Sequence, residues 1–191
     1  GTLGYSQTSL NADFTTVIDM EGFAGPVNLA FGLELRTENY TIEAGEEAGY
    51  ADGGFDVLDG PSAGSGAAVG CQCLPGLAPA NEGDRDRDAL SVYVDAEADV
   101  LDNLMVGVAI RAEDYSDFGN TVNGKIAMRY ELQENVALRA SVSTGFRAPA
   151  LQEAYFSSIA TNFIDGIPYE VGTFPVDTEP ARALGAKDLD A

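Results

Sequence analysis

The 191-residue sequence has no histidine, no tryptophan, two cysteines, and only 10 basic side chains against 31 acidic ones. Without histidine, imidazole acid–base catalysis and histidine-ligated metal sites are excluded within these residues. No 18 apolar residues run together, so no helix is long and apolar enough to cross a bilayer. That leaves a spanning β-barrel open, because its strands alternate and are never apolar along their whole length. A net charge of −21 opposes binding to nucleic-acid phosphates. Cys71 and Cys73 supply half of a metal-ligand set, with no second cluster following. They could pair with each other in a small strained ring or with cysteines elsewhere, or stand as an incidental loop pair. The sequence begins at Gly1 without methionine and stops at Ala191 in mid-pattern, so it reads as a fragment. The lack of a signal peptide therefore carries no information on export.

Period-two alternation is abundant. In residues 134–156, "ENVALRASVSTGFRAPALQEAYF", Val136, Leu138, Ala140, Val142, Thr144 and Phe146 share one side. Ala137, Arg139, Ser141, Ser143 and Gly145 share the other, which marks a strand between two unlike environments. The same reading predicts strands at about 8–20, 27–42, 89–100, 104–115, 121–132 and 136–146, with long loops at 43–88 and 147–191. "DVLDNLMVGVAI" and "ELQENVALRASV" align at an offset of 32 residues, each with its short turn in the same place. That is the repeat of an up-and-down antiparallel sheet.

Charge separates strands from loops. Residues 104–147 are neutral, with five basic and five acidic side chains, whereas 43–88 carries −8 and 148–191 carries −5. A soluble β-sandwich shares the parity. Three features favour a membrane barrel: strands of bilayer-spanning length, an apolar face almost free of charge, and short turns at one end with long polar segments at the other. The expected fold class is all-β, an antiparallel up-and-down transmembrane β-barrel fragment of about six strands. Tyr130 and Phe146 fit aromatic girdles at the two interfaces, or ordinary lipid-facing positions.

The segment "NVALRASVSTGFRAPALQEAYF" resembles the barrel of TonB-dependent outer-membrane receptors, as do "GPVNLAFGLELRTENY", "RAEDYSDFGNTVNGKIAMRYEL" and "FSSIATNFIDGIPYEVGTFPVDTEPARALGAKDLDA". "EDYSDFGNTVNGK" followed by "TGFRAP" in one chain is a specific pairing; the Gly-rich, Cys-containing part of 43–88 stays unmatched. The resemblance implies a 22-stranded barrel filled by a plug domain that these residues do not include, in the outer membrane of a Gram-negative bacterium. It also implies a nutrient ligand, with a ferric siderophore the common case and an oligosaccharide or cobalamin sharing the architecture. Import would draw energy from the TonB complex through the missing plug. Outer-membrane lipid is the other expected partner; nucleic acid, a cofactor, a metal and catalysis are not expected.

Candidate ligand contacts are Arg111, Arg129, Arg139 and Arg147 at the polar face, and the loop aromatics Tyr155, Phe156 and Tyr169. Lys125 joins the cations, and Phe163 and Phe174 join the aromatics. The plainer readings are that the cations pair with Asp95, Glu97, Glu113 and Glu131 or with a plug, and that the aromatics pack the loop. Asp84, Arg85, Asp86, Arg87 and Asp88 read as a self-neutralising loop end. The alternative functions are a passive porin or translocator barrel and a secreted β-sandwich carbohydrate-binding or adhesion module.

Overall fold

A computed structural model describes residues 1–70, 76–187 and 189; Cys71 and Cys73 lie outside the described residues. Six strands form one antiparallel sheet in sequence order: β1 (Thr2–Ile18), β2 (Val27–Glu43), β3 (Gly83–Leu101), β4 (Leu104–Tyr115), β5 (Gly119–Gln133) and β6 (Val136–Ser143). The sheet is all-β and up-and-down, and it is not closed. β1 to β3 are longer than the tilted strand of about 9–11 residues that a bilayer requires.

By internal contacts the chain divides into two compact units. The strand unit comprises Gln7–Thr37 and Arg87–Ala148; the loop unit comprises Gly1–Ser6, Glu38–Asp86 and Pro149–Asp190. The strand unit is a sheet with two unlike faces. Val108, Ile126 and Val142 occupy one cross-strand row of β4, β5 and β6. With Leu90, Val92, Val94, Ile110, Val122, Met128, Leu132 and Leu138 they form a band of exposed large apolar side chains, Val142 reaching 78% exposure and Val122 69%. Leaving such a band in water would forfeit roughly 25 cal/mol for every Å² of apolar surface, so hydrocarbon is the environment it fits.

The opposite face is polar, and its pairing is set by the ladder. One row reads Tyr93, Arg111, Asn123; the next Asp95, Ala109, Lys125, Ser143; the next Glu97, Gly107, Ala127, Ser141; the next Asp99, Met105, Arg129, Arg139. Gly32 of β2 sits beneath a bond across this face, in which the Tyr93 hydroxyl donates to Asp13 at 2.7 Å. A Cβ on Gly32 would lie 2.6 Å from the Asp13 carboxylate and 2.7 Å from the Tyr93 ring, so glycine is required there.

The loop unit is folded. Its small core is Tyr40, Ile42 and Leu151, with Leu77 and Tyr155 packed against it. The 147–191 stretch, expected to be loop, contains a hairpin and two short helices. The hairpin is β7 (Ser158–Ile164) with β8 (Ile167–Thr173), and the helices are α1 (Leu151–Tyr155) and α2 (Glu179–Ala183). Asp165 and Gly166 turn the hairpin with φ of 52° and 81°, the left-handed pair that two-residue hairpins favour. "FIDGIPYEV" carried that signal, an Asp-Gly between β-prone residues.

If the apolar band faces lipid, Ile126→Lys should destabilise the parent barrel by about 2–4 kcal/mol, while Thr121→Lys on the polar face of the same strand should cost less than about 1 kcal/mol. Reversible unfolding in lipid vesicles measures both. Equal costs would count against the assignment of the faces.

Candidate functional site

Two groups of polar residues are built by the fold, one in each unit. Residues 84–88, expected to be a self-neutralising loop end, are instead the start of β3, which begins at Gly83; Asp84 to Asp86 belong to the loop unit, Arg87 and Asp88 to the strand unit. Their Asp-Arg-Asp-Arg-Asp alternation is strand periodicity, and it sorts the charges to opposite faces. Arg87 is 2% exposed and holds Asp117 at 2.7 Å through Nη2 and 2.8 Å through Nε. The Arg87 guanidinium also lies 5.0 Å from the Phe118 ring centroid. On the other side Asp88 accepts a hydrogen bond from the Thr37 hydroxyl at 2.7 Å.

Phe118 stacks on Tyr115 at 4.5 Å between centroids, and Phe146 closes the group at 5.5 Å from Phe118 and 6.2 Å from Tyr115. Phe146 is therefore not at a lipid girdle. β6 stops at Ser143, and beyond it the chain leaves the alternation, which lets Phe146 turn onto buried Tyr115. The Gly-Phe-Arg-Ala-Pro ending thus caps the β4–β5 turn with an aromatic side chain.

The candidate arginines do not form one cluster. Arg111 is tied to Glu34 of β2 at 2.8 Å and to Glu113 at 3.0 Å. Arg129 pairs with Glu131 on its own strand. Arg139 stands directly across the ladder from Arg129. Arg147 is exposed beyond the end of β6. Glu113 and Glu131, expected to pair across neighbouring strands, pair instead along the strands of Arg111 and Arg129, and the cross-strand partner of Arg111 is Glu34; among the described residues Asp95 and Glu97 form no ion pair.

In the loop unit a cavity of about 170 Å³ opens among Tyr40, Asn81, Arg85, Tyr155, Ser157 and Asp177. The Arg85 guanidinium lies 5.1 Å from the Tyr155 ring centroid and 3.8 Å from the Asp177 carboxylate. Asn81, 3% exposed, donates to the Ser157 hydroxyl at 2.9 Å. Asn39 donates to Asp84 and Asp86, at 2.7 Å each. Tyr40 is 3% exposed and its hydroxyl has no hydrogen-bond partner among the described residues. Burial pushes its pKa above the ordinary phenol value. Of the expected aromatics, only Tyr155 lines this cavity; Phe156 follows α1 and Tyr169 is half-exposed on β8. Tyr40 and Arg85 carried a sequence signal only in their parity, as inward positions of long strands.

A family model described as "TonB dependent receptor-like, beta-barrel" matches residues 1–191. The chain belongs to that family. The match runs through all of 43–88, including the Gly-rich, Cys-containing part that motif resemblance left unmatched. Comparison with curated proteins and with solved structures found no match. TonB-dependent receptor barrels are outer-membrane receptors and transporters rather than enzymes, and the open six-stranded sheet of this chain has one apolar and one polar face.

The buried Arg87 guanidinium ties β3 to the β4–β5 turn through its ion pair with Asp117, whose carboxylate side is open to solvent. Asp117→Ala removes one carboxylate from a buried cation and should cost about 1–3 kcal/mol. In the parent, the temperature at which the compact unboiled gel form is lost should fall clearly. The double change Arg87→Met with Asp117→Leu should recover most of that loss.

Proposed function

We propose that this chain forms part of the wall and loop region of an active outer-membrane transporter that binds a scarce nutrient and imports it with TonB-coupled energy through a plug. The residence is the outer membrane of a Gram-negative bacterium. A ferric siderophore is the first-choice cargo and an oligosaccharide the second. The observation that carries this reading is the folded loop unit, because receptor loops supply recognition on a rigid scaffold. A passive pore has less need of an ordered cavity with a buried tyrosine, a stacked arginine and an asparagine held by serine.

The division of labour follows from the geometry of each unit. Tyr155 and Arg85 present a ring and a guanidinium side by side, a surface for planar or polyhydroxylated groups. Phe156 and the half-exposed Tyr169 supply further apolar contact from the same unit. In the strand unit, Arg111, Arg129, Arg139 and Arg147 are the cations offered to acidic groups of the cargo.

Tyr155→Ala or Arg85→Ala in the parent receptor should weaken cargo binding at least tenfold while the barrel remains heat-modifiable on gels. Equilibrium binding of radiolabelled ferric siderophores, and in parallel of oligosaccharides, to outer-membrane fractions reads this out. Unchanged affinity in both variants would remove the cavity from the binding site. A parent that binds neither class, and imports neither on energisation, would count against the transport reading itself.

A further inference from the structure

β5 and β6 are unequal partners: β5 runs for 15 residues and β6 for eight. On its β4 side the ladder follows β5 all the way to Gly119, whereas on its β6 side it stops at Lys125 opposite Ser143. One more bond follows, from the Thr144 N–H to the Gly124 carbonyl at 2.9 Å. Beyond it, residues 119–123 have no backbone partner on that side among the described residues. Continuing the register would set Gly145 opposite Asn123, Phe146 opposite Val122 and Arg147 opposite Thr121. Pro149, which has no N–H to give a ladder, lies just past that stretch.

Phe146 turns away from that path. By parity it belongs with Leu138 and Val142 on the apolar side, yet its ring lies 5.5 Å from Phe118 and 6.2 Å from Tyr115. Tyr115 shares the parity of Arg111 and Glu113, on the polar side. The position beside Val122 is left open: Val122 is 69% exposed, more than any other large apolar side chain of β4 or β5. Gly145, the residue before Phe146, fits the same pattern. A Cβ there would meet nothing within 4 Å, and its φ is not left-handed. Neither crowding nor backbone conformation in the observed state calls for glycine. A pivot between two backbone paths does, because glycine reaches both at the lowest steric cost.

We propose that residues 144–147 are a two-position strand end, pivoting at Gly145. In the latched position, the one observed, Phe146 sits on Tyr115 and Phe118 and the ladder ends at Gly124. In the zipped position β6 lengthens along β5, and Phe146 moves to the apolar side beside Val122. The two positions trade similar quantities. Ring contacts with Tyr115 and Phe118 hold the first; cross-strand contact with Val122 and added ladder hydrogen bonds hold the second. Each residue zipped draws in about 3.4 Å of chain. The device therefore sets how much of the chain after β6 is held by the wall and how much is free as loop. The inference rests on the ladder alone, and not on the cargo or its energy source.

The test uses the full-length parent receptor in isolated outer membranes, in a Cys71→Ser, Cys73→Ser background. Each variant is first checked for heat-modifiable migration, so that a lost barrel is distinguished from a moved strand end. Asn123→Cys with Gly145→Cys reports the zipped position, because directly opposed ladder residues come within disulfide reach. Ala127→Cys with Ser141→Cys, opposed in the observed ladder, is the permanently paired standard. Under a mild oxidant the standard should cross-link at least tenfold faster than the reporter, and the reporter should still go to completion. Adding Phe118→Ala, which empties the latch, should speed the reporter at least fivefold and leave the standard unchanged. Adding Val122→Asn, which spoils the other position, should slow the reporter at least threefold. Where Phe118→Ala loses the barrel, Phe118→Leu keeps the bulk, removes the ring stacking and should act in the same direction. A reporter that never cross-links, with or without the change at Phe118, would overturn the proposal in favour of a fixed latch. Cross-linking at any rate that is indifferent to Phe118 would overturn it too, in favour of a β6 that is longer or simply frayed.

Discussion

Hydrocarbon offers a peptide group no hydrogen-bond partner, and this single constraint orders the rest of the structure. A strand placed there must pair its backbone with neighbouring strands and turn every second side chain toward lipid. The six-stranded ladder satisfies the first requirement internally, except along the outer edges of β1 and β6, which have no partner strand among the described residues. The second requirement produces the band from Leu90 to Val142. Because the pleat has a period of two, the same constraint sends Arg111, Lys125, Arg129 and Arg139 to one common face. The polar face is thus a by-product of membrane solvation as much as a functional surface.

Away from that constraint the chain behaves like an ordinary small globular unit. The loop unit has a core of only a few side chains, with Tyr40, Ile42 and Leu151 at its centre. It makes up for limited apolar burial with polar contacts, among them Asn81 to Ser157, Asn39 to two aspartates, and Arg85 on Tyr155. Its 17 acidic and three basic side chains leave a net −14, so most of the acidity of the sequence resides there. Such a surface stays solvated, attracts cations, and repels anionic groups at ranges up to about one Debye length.

Much of this was legible in the residues themselves. Alternation gave the six strands because one buried or lipid-facing side imposes parity, and the Asp-Asn and Glu-Asn turns fixed where two strands reverse. Three things were harder to read. The β7–β8 hairpin is short, and its Asp165-Gly166 turn sits inside a stretch whose acidity and aromatics suggested irregular chain. Asp84 to Asp88 was mistaken for a loop because charge overrode parity in the reading, although alternating charges mark a strand whose two sides both have polar partners. Phe146 was assigned by extending an alternation past the point where the ladder ends; only the fold reveals that Tyr115 and Phe118 wait for it. The partners of the arginines depend on register, which one-dimensional pattern leaves loose and the ladder settles: Arg111 reaches two strands away, and Arg129 reaches only two residues along its own.

The most direct measurement of the central claim is a site-by-site spin-label scan along β5, from Gly119 to Gln133, in the parent receptor reconstituted in lipid. Collision rates with oxygen, which concentrates in hydrocarbon, should peak at Val122, Ile126, Met128 and Leu132. Collision rates with a water-soluble nickel chelate should not rise at those positions. A flat profile, or nickel access equal on both faces, would contradict the account of one sheet separating lipid from a polar interior.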